Sequence, residues 1–289
     1  MVDIAFYYIC LFHPLNIKQE QPLESAFALS RIFERIDFMK KILFVGESWT
    51  VQETHVKGFD SVDLGRLEQT SGEWILNALK NSGIEVDYMP SHIAQYHFPD
   101  TVEKLKEYSV VVLSDIGSNT LLLDPVMQMK GVRKPNRLIA LSEFVRQGGG
   151  IAMLGGYLSF AGIENKARYA MTPLADVLPV KMLNCDDRVE HPEGISPKVL
   201  MHDHPILKGI KDEEWPFFLG YNKIKAKPEA DEIAKIDDDT FMAAMEVGKG
   251  RSFAFASDCA PHWGSQAFLS WTEYQKLISN VFRWLAREL

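Results

Sequence analysis

Asp258 and His262 lie four residues apart in the stretch SDCAPHW (Ser257 to Trp263) and are the best acid/base pair in this chain. A histidine titrates near neutrality, and a nearby carboxylate can orient it for proton transfer. The competing reading is that Asp258 caps a turn while His262 and Trp263 pack structurally. SDIGSNT offers Asp115, Ser118 and Asn119, which suit a polar ligand equally with helix caps and turns. Glu47 and Ser48 stand on the same footing, and Glu47 is a general base if buried. Gly155-Gly156-Tyr157 reads as a pocket floor with a phenolic donor, or as a pair of glycines that lets a strand end pack closely. His202-Asp203-His204-Pro205 invites a metal, but Pro205 argues for a turn and no third ligand can be placed. No metal site and no cofactor are expected. Asp186, Asp187, Arg188, Glu190 and His191 read as a solvated loop with local ion pairs, in which Arg188 is able to hold a carboxylate.

These residues gain meaning from the elements that carry them. Lys41 to Val45, Ile84 to Met89, Val110 to Leu113 and Ile151 to Leu154 are short apolar runs bounded by glycine, proline or polar turn residues. Such runs fit strands buried on both faces of a parallel sheet. Between them lie a polar loop after Trp49, a helix carrying Trp74, Ile75, Ala78 and Leu79 behind Thr70 and Ser71 as caps, a short helix near Thr101 to Tyr108, and a helix from Arg137 to Gln147. Alternating strands and helices imply right-handed crossovers. Thr172 to about Lys227 reads as long loops with short strands. Glu232 to Ile236, Phe241 to Val247 and Arg251 to Ala256 read as strands, the last two forming a hairpin about Gly248-Lys249-Gly250. From Gln266 the chain reads as helical to its end, with Tyr274, Leu277, Ile278, Val281, Phe282 and Leu285 on one face. Trp49, Trp74, Trp215, Trp271 and Trp284 read as core or interface. In a parallel sheet, ligands sit outside the carboxyl ends of the strands. Glu47, Ser48, Asp115, Ser118, Asn119, Gly155, Gly156, Tyr157, Asp258 and His262 each follow a strand and are therefore expected to meet there.

Composition narrows the partners. Of 289 residues, 46% are hydrophobic, and 31 Lys and Arg against 39 Asp and Glu give a net charge of -8. Without a basic cluster, nucleic acid and anionic membranes are not expected partners. Cys10, Cys185 and Cys259 form neither a disulfide framework nor a zinc knuckle, which fits a reducing cytoplasm. MVDIAFYYICLFHPL is too short to span a bilayer and lacks a basic start, so residues 1–38 read as a non-targeting extension. Within it, Pro22 to Ile36 suits a helix with Ala26, Leu29, Phe33 and Ile36 on one face. One α/β domain is expected over Met39 to Leu289.

MKKILFVGESW, VVVLSDIGSNTLLL, KPNRL, GGYLSFAGIENKARY, PVKMLNCDDRVEHPEGI, FLGYNKIKAKP and SDCAPHWGSQAFLSWTEY together resemble a family of bacterial cytoplasmic proteins related to class I glutamine amidotransferases. The resemblance spans Met39 to Leu289. It implies a flavodoxin-like three-layer sandwich with a mostly parallel sheet, supplemented by the hairpin and the long loops of the second half. Class I amidotransferases hold a nucleophilic cysteine in a Gly-x-Cys-x-Gly turn and pair it with a His-x-Glu dyad. The corresponding turn in this chain is Gly155-Gly156-Tyr157-Leu158-Ser159, with Tyr157 in the nucleophile's place, and His262 is followed by Trp263 and Gly264. A phenol, with a pKa of about 10, does not replace a thiolate at neutral pH. Glutaminase activity is accordingly not expected.

Two functions fit. One is an enzyme that keeps the amidotransferase crevice and acts on a small polar or sugar-like metabolite through His262, Asp258 and Tyr157. The other is a non-catalytic ligand-binding or assembly protein. Self-association is expected, through aromatic residues in the irregular segments FLGYNKIK and EEWPFF.

Overall fold

The computed structural model describes residues 41–211 and 214–289. The N-terminal extension with its Pro22 to Ile36 helix, and Cys10, lie outside the described residues. Fourteen strands occur in the described chain: β1 (Ile42–Gly46), β2 (Ser48–Lys57), β3 (Asp60–Thr70), β4 (Val86–Met89), β5 (Val110–Ser114), β6 (Gly150–Leu154), β7 (Val180–Met182), β8 (Arg188–Ile195), β9 (Lys198–Val199), β10 (Phe218–Asn222), β11 (Ile224–Ala226), β12 (Asp231–Ile236), β13 (Asp239–Val247) and β14 (Gly250–Phe255). Eight of them form one mixed sheet in the order β4-β1-β5-β6-β14-β13-β12-β9. From β4 to β14 neighbouring strands run parallel; from β14 to β9 they run antiparallel. The remaining strands form two-stranded pairs, β10 with β8, β11 with β7, and β2 with β3.

The apolar runs explain the sheet's centre. Every residue of β1 (ILFVG), β5 (VVVLS) and β6 (GIAML) is buried, as strands covered on both faces require. The helix Tyr274–Leu285 buries the stripe read from its spacing, and Trp284 joins it. The helix Arg137–Arg146 is started by Asn136, whose side chain accepts from the Leu138 and Ile139 amides. The last two strands of the hairpin about Gly248-Lys249 pair as expected, Val247 opposite Gly250.

Three expectations need correction. The segment after Trp49 is not a loop but a long antiparallel hairpin, β2–β3, which buries almost nothing and alternates apolar residues only in short pairs. Thr70 and Ser71 do not cap the following helix Glu73–Asn81: its N-cap is Gly72, without a side-chain bond, and Ser71 turns to Glu47 instead. The chain from Gln266 is not one helix; Gln266–Leu269 and Tyr274–Leu285 are separate, and the second stops before Ala286.

The register positions the site. Gly46 lies opposite Ser114, Ser114 opposite Leu154, and Leu154 opposite Phe255. Four adjacent strands therefore end at one level, and Glu47, Asp115, Gly155 and Ala256 leave the sheet side by side.

Candidate functional site

Two of these exit residues have left-handed backbones although neither is glycine: Glu47 has φ 45° and Asp115 has φ 43°. A left-handed residue with a Cβ costs roughly 1–3 kcal/mol, held in place by its surroundings. At β5 the strand passes through Asp115 and reaches the helix Ser118–Leu122 three residues later. A strand, a left-handed residue and a helix form the sharp elbow that exposes a nucleophile in hydrolase sheets. Tyr157 is not among the left-handed residues, and no α-helix follows it before Leu174. After β5 the left-handed turn falls on Asp115; after β6 the positive φ falls on Gly156, beside Tyr157. The glycines at 155 and 156 answer to close packing: a Cβ on Gly155 would lie 2.4 Å from the Ala256 carbonyl oxygen, and one on Gly156 (φ 140°) 3.0 Å from Asp115 Oδ1.

Neighbouring segments pin this turn. The Leu158 amide donates to Asp115 Oδ1 at 2.7 Å, and the Asp115 amide donates to Ser159 Oγ at 3.1 Å. Asn222, at the end of β10, accepts from the Gly156 amide and donates both to the Gly156 carbonyl and to Asp187. Asp187 in turn accepts from the Ala161 and Gly162 amides, each at 2.9 Å. Asp187 is buried, which corrects its reading as part of a solvated loop, and burial raises its carboxyl pKa. Its neighbours do form the expected local pair, Arg188 donating twice to Asp186.

Beneath the elbow lies a cluster of buried acids. The Ser114 hydroxyl donates to Glu47 Oε1 at 2.5 Å, and the Ser71 hydroxyl to Glu47 Oε2 at 2.8 Å. Cys259 Sγ is 3.8 Å from Glu47 Oε1 and 3.5 Å from Ser114 Oγ. Burial pushes the Glu47 carboxyl well above its ordinary range, and the charges of Asp258 and Asp115 push it further. Burial does the same to Asp258, with Asp115 adding to it. The Cys259 thiol is pushed well up by burial, then by Glu47 and Asp258. Among the described residues, Glu47, Asp258 and Cys259 are the set whose donor atoms lie close enough to share a metal, within 4.8 Å of one another. Hydroxyls and backbone amides already hold the carboxyl oxygens of Glu47 and one of Asp258.

At the surface above this cluster sits His262, whose φ of 132° is also in the range that favours glycine. Its ring meets the Tyr157 ring edge-on at 4.4 Å and stacks on Trp263 at 5.2 Å. Glu190 joins the two loops by accepting from the Tyr157 hydroxyl at 3.1 Å and from Trp263 Nε1 at 2.9 Å. The Arg188 guanidinium lies 4.7 Å over the Tyr157 ring. Asp258 Oδ2 is 3.6 Å from His262 Nδ1, beyond hydrogen-bond length, while Oδ1 accepts from the Ala260 amide at 3.0 Å. Asp258 thus caps its turn and faces the histidine without bonding to it. Burial lowers the His262 pKa, against the opposing pull of Glu190, Asp115 and Glu47, and so favours the neutral imidazole. A neutral imidazole half open to solvent is able to accept a proton.

Not every expected residue belongs here. Asn119 is exposed, and Ser118 is buried at the start of its helix, its amide donating to the Ala167 carbonyl. Ser48 Oγ accepts from the Ser91 amide at 2.6 Å, a tie between elements. His204 accepts from the Ile206 amide and caps the turn Pro205–Leu207. Ser71, Ser114, Asn222, Asp187 and Glu190 were missed as partners of the site. Asp187 and Glu190 were marked only as a charged patch and Ser71 only as a cap, because each acts on a residue distant in sequence.

Residues 41–287 match a family model described as "Putative glutamine amidotransferase". The chain therefore belongs to this glutamine amidotransferase-like family. Two solved structures are similar over nearly their whole length, both cytoplasmic proteins of Salmonella typhimurium. STM3548 is 44% identical, with a TM-score of 0.80, over 85% of this chain and 98% of its own. STM1381, from strain LT2, is also 44% identical with a TM-score of 0.80, over 85% of this chain and 99% of its own. No curated protein matches.

Proposed function

We propose that this protein binds a small polar metabolite at the carboxyl edge of its sheet and moves protons on it, without a thiol nucleophile. His262 is the acid/base group, Asp258 faces it from below, and Asp115 and Tyr157 supply the polar walls. The observation that carries this reading is the meeting of three separate exits of the sheet: the His262 ring lies 4.4 Å from the Tyr157 ring, Asp258 is 3.6 Å beneath the histidine, and Asp115 holds the Leu158 amide beside Tyr157. The chemistry of the cysteines supports it. Cys259 is buried among carboxyls, the reverse of the cationic setting that makes a thiolate, and Cys185 is exposed in a loop.

The strand order β4-β1-β5-β6-β14 is the second, first, third, fourth and fifth parallel strand in sequence, which supports a flavodoxin-like, three-layer reading. A cytoplasmic location is supported by the two Salmonella proteins. No helix among the described residues is long and apolar enough to cross a membrane.

The test is thermal-shift screening of a panel of small polar metabolites against wild type and His262→Ala. The expected result is a ligand that stabilises wild type and loses its effect in the variant. An empty panel, or a ligand indifferent to both His262→Ala and Asp115→Asn, contradicts the proposal. A non-catalytic binding role is favoured by one observation, the burial of Glu47, Ser114, Asp258 and Cys259 away from the surface. Mass analysis of the ligand after incubation separates the two, since a binding protein returns it unchanged.

A further inference from the structure

The hairpin β2–β3 projects strands of 10 and 11 residues joined by Gly58-Phe59. Apart from Ser48, Val51 and Gln69, all of its strand residues are exposed. It nevertheless carries six exposed apolar side chains, Trp49, Val56, Phe59, Val62, Leu64 and Leu67, with Phe59 fully exposed at its tip. A lone two-stranded ribbon is marginal in water, and its two unpaired edges are templates for another strand. Among the described residues the ribbon's pairing is interrupted once, by a register shift between Glu53 and Thr54. Residues 48–70 contain no proline, and many of the charges are used within the ribbon. Glu68 accepts from Thr50 and Arg66, Glu53 bonds His55, and Asp63 accepts from the Gly65 amide.

We propose that β2–β3 is an assembly arm that docks on a second copy of this chain. A twofold contact puts the same patch of each protomer against the other. Two arms so related meet with edges of equal length and matching backbone rows, so each satisfies the open edge of its partner. The dimensions fit a stable dimer. Eleven residues at about 3.3 Å span about 36 Å, and an arm of this kind supplies roughly the 20–30 residues a side, on the order of 800 Å² per partner, of a standard interface. The apolar surface also continues past the ribbon. The helix Ser91–His97, tied to the arm's root through the Ser91 amide and Ser48, exposes Ile93 and Tyr96. The proposed interface lies on this side, whereas the aromatic composition of the irregular second half points to the other.

The full chain is examined by light scattering at micromolar concentration beside two variants. Val56→Asp with Phe59→Asp alters only exposed arm positions, and Phe217→Asp alters an exposed aromatic of the second half. Wild type and Phe217→Asp are expected at twice the monomer mass or a higher multiple, and the arm variant at the monomer mass with an unchanged circular dichroism spectrum. Hydrogen exchange gives a second readout: amides of 48–70 are expected to be protected in wild type and to exchange faster in the arm variant. A monomeric wild type, an arm variant that keeps the wild-type mass, or dissociation by Phe217→Asp alone overturns the proposal.

Discussion

Glu47→Gln reports most directly on the buried acid cluster. Glu47 is 1% exposed, accepts from two serine hydroxyls, and has its pKa raised by burial and by two neighbouring carboxyls. Unfolded, it ionises above its ordinary value of 4.5; folded, it keeps its proton well beyond that. The native state then binds the extra proton, so its contribution to stability is complete below pH 4.5 and is lost as pH rises toward the folded pKa. A difference of one proton is worth about 1.4 kcal/mol per pH unit. Glutamine has nearly the same shape and does not titrate. Relative to wild type, the variant should therefore gain about 1.4 kcal/mol per pH unit over that window, or about 3–6 °C in Tm for a domain of this size. At pH 4 both side chains are neutral, and the variant should lose only about 1 kcal/mol from amide donors that match the two serines less well. Melting curves of both proteins from pH 4 to pH 9 measure the difference. A flat difference across that range means that Glu47 is ionised in the native protein, and refutes the reasoning.

Asn222→Ala leaves Asp187 and both polar groups of Gly156 short of a partner in the interior, and should cost about 2–4 kcal/mol in denaturant unfolding. Alkylation mapped by peptide mass should modify Cys185 readily and Cys259 only after unfolding; equal rates in the native protein would show that the thiol beside Glu47 is accessible. A chain beginning at Met39 should keep the melting temperature of the full chain, and a loss of several degrees would mean that the preceding residues pack on the domain.

Much of the frame was legible because its physics is local. Val110 to Leu113 and Ile151 to Leu154 are unbroken apolar runs, and a strand buried on both faces leaves no other trace. The stripe from Tyr274 to Leu285 is likewise written at helical spacing. The β2–β3 hairpin was not legible, since its apolar residues alternate only in the short pairs Trp49/Val51 and Val62/Leu64, among polar and charged residues. The meeting of Tyr157, Asp115, Asp258 and His262 followed from topology, as strand ends in a parallel sheet share one edge. The elbow did not. Gly155-Gly156 does turn, with φ 140° at Gly156, and makes room for the Ala256 carbonyl and for Asp115; the left-handed backbones at Glu47 and Asp115 fall on residue types that do not announce them. The Asn222–Asp187 bond joins residues 35 apart through tertiary packing, with no local sign in the sequence.

In this amidotransferase-like frame Asp115 takes the left-handed turn after β5, Cys259 is buried beside Glu47 and Ser114, and Cys185 is exposed. Ammonia release from glutamine, followed in a coupled assay on the full chain, tests this most directly. The account predicts no release above the protein-free control for wild type, Cys185→Ser and Cys259→Ser alike. Steady release by wild type that either cysteine substitution abolishes would contradict it.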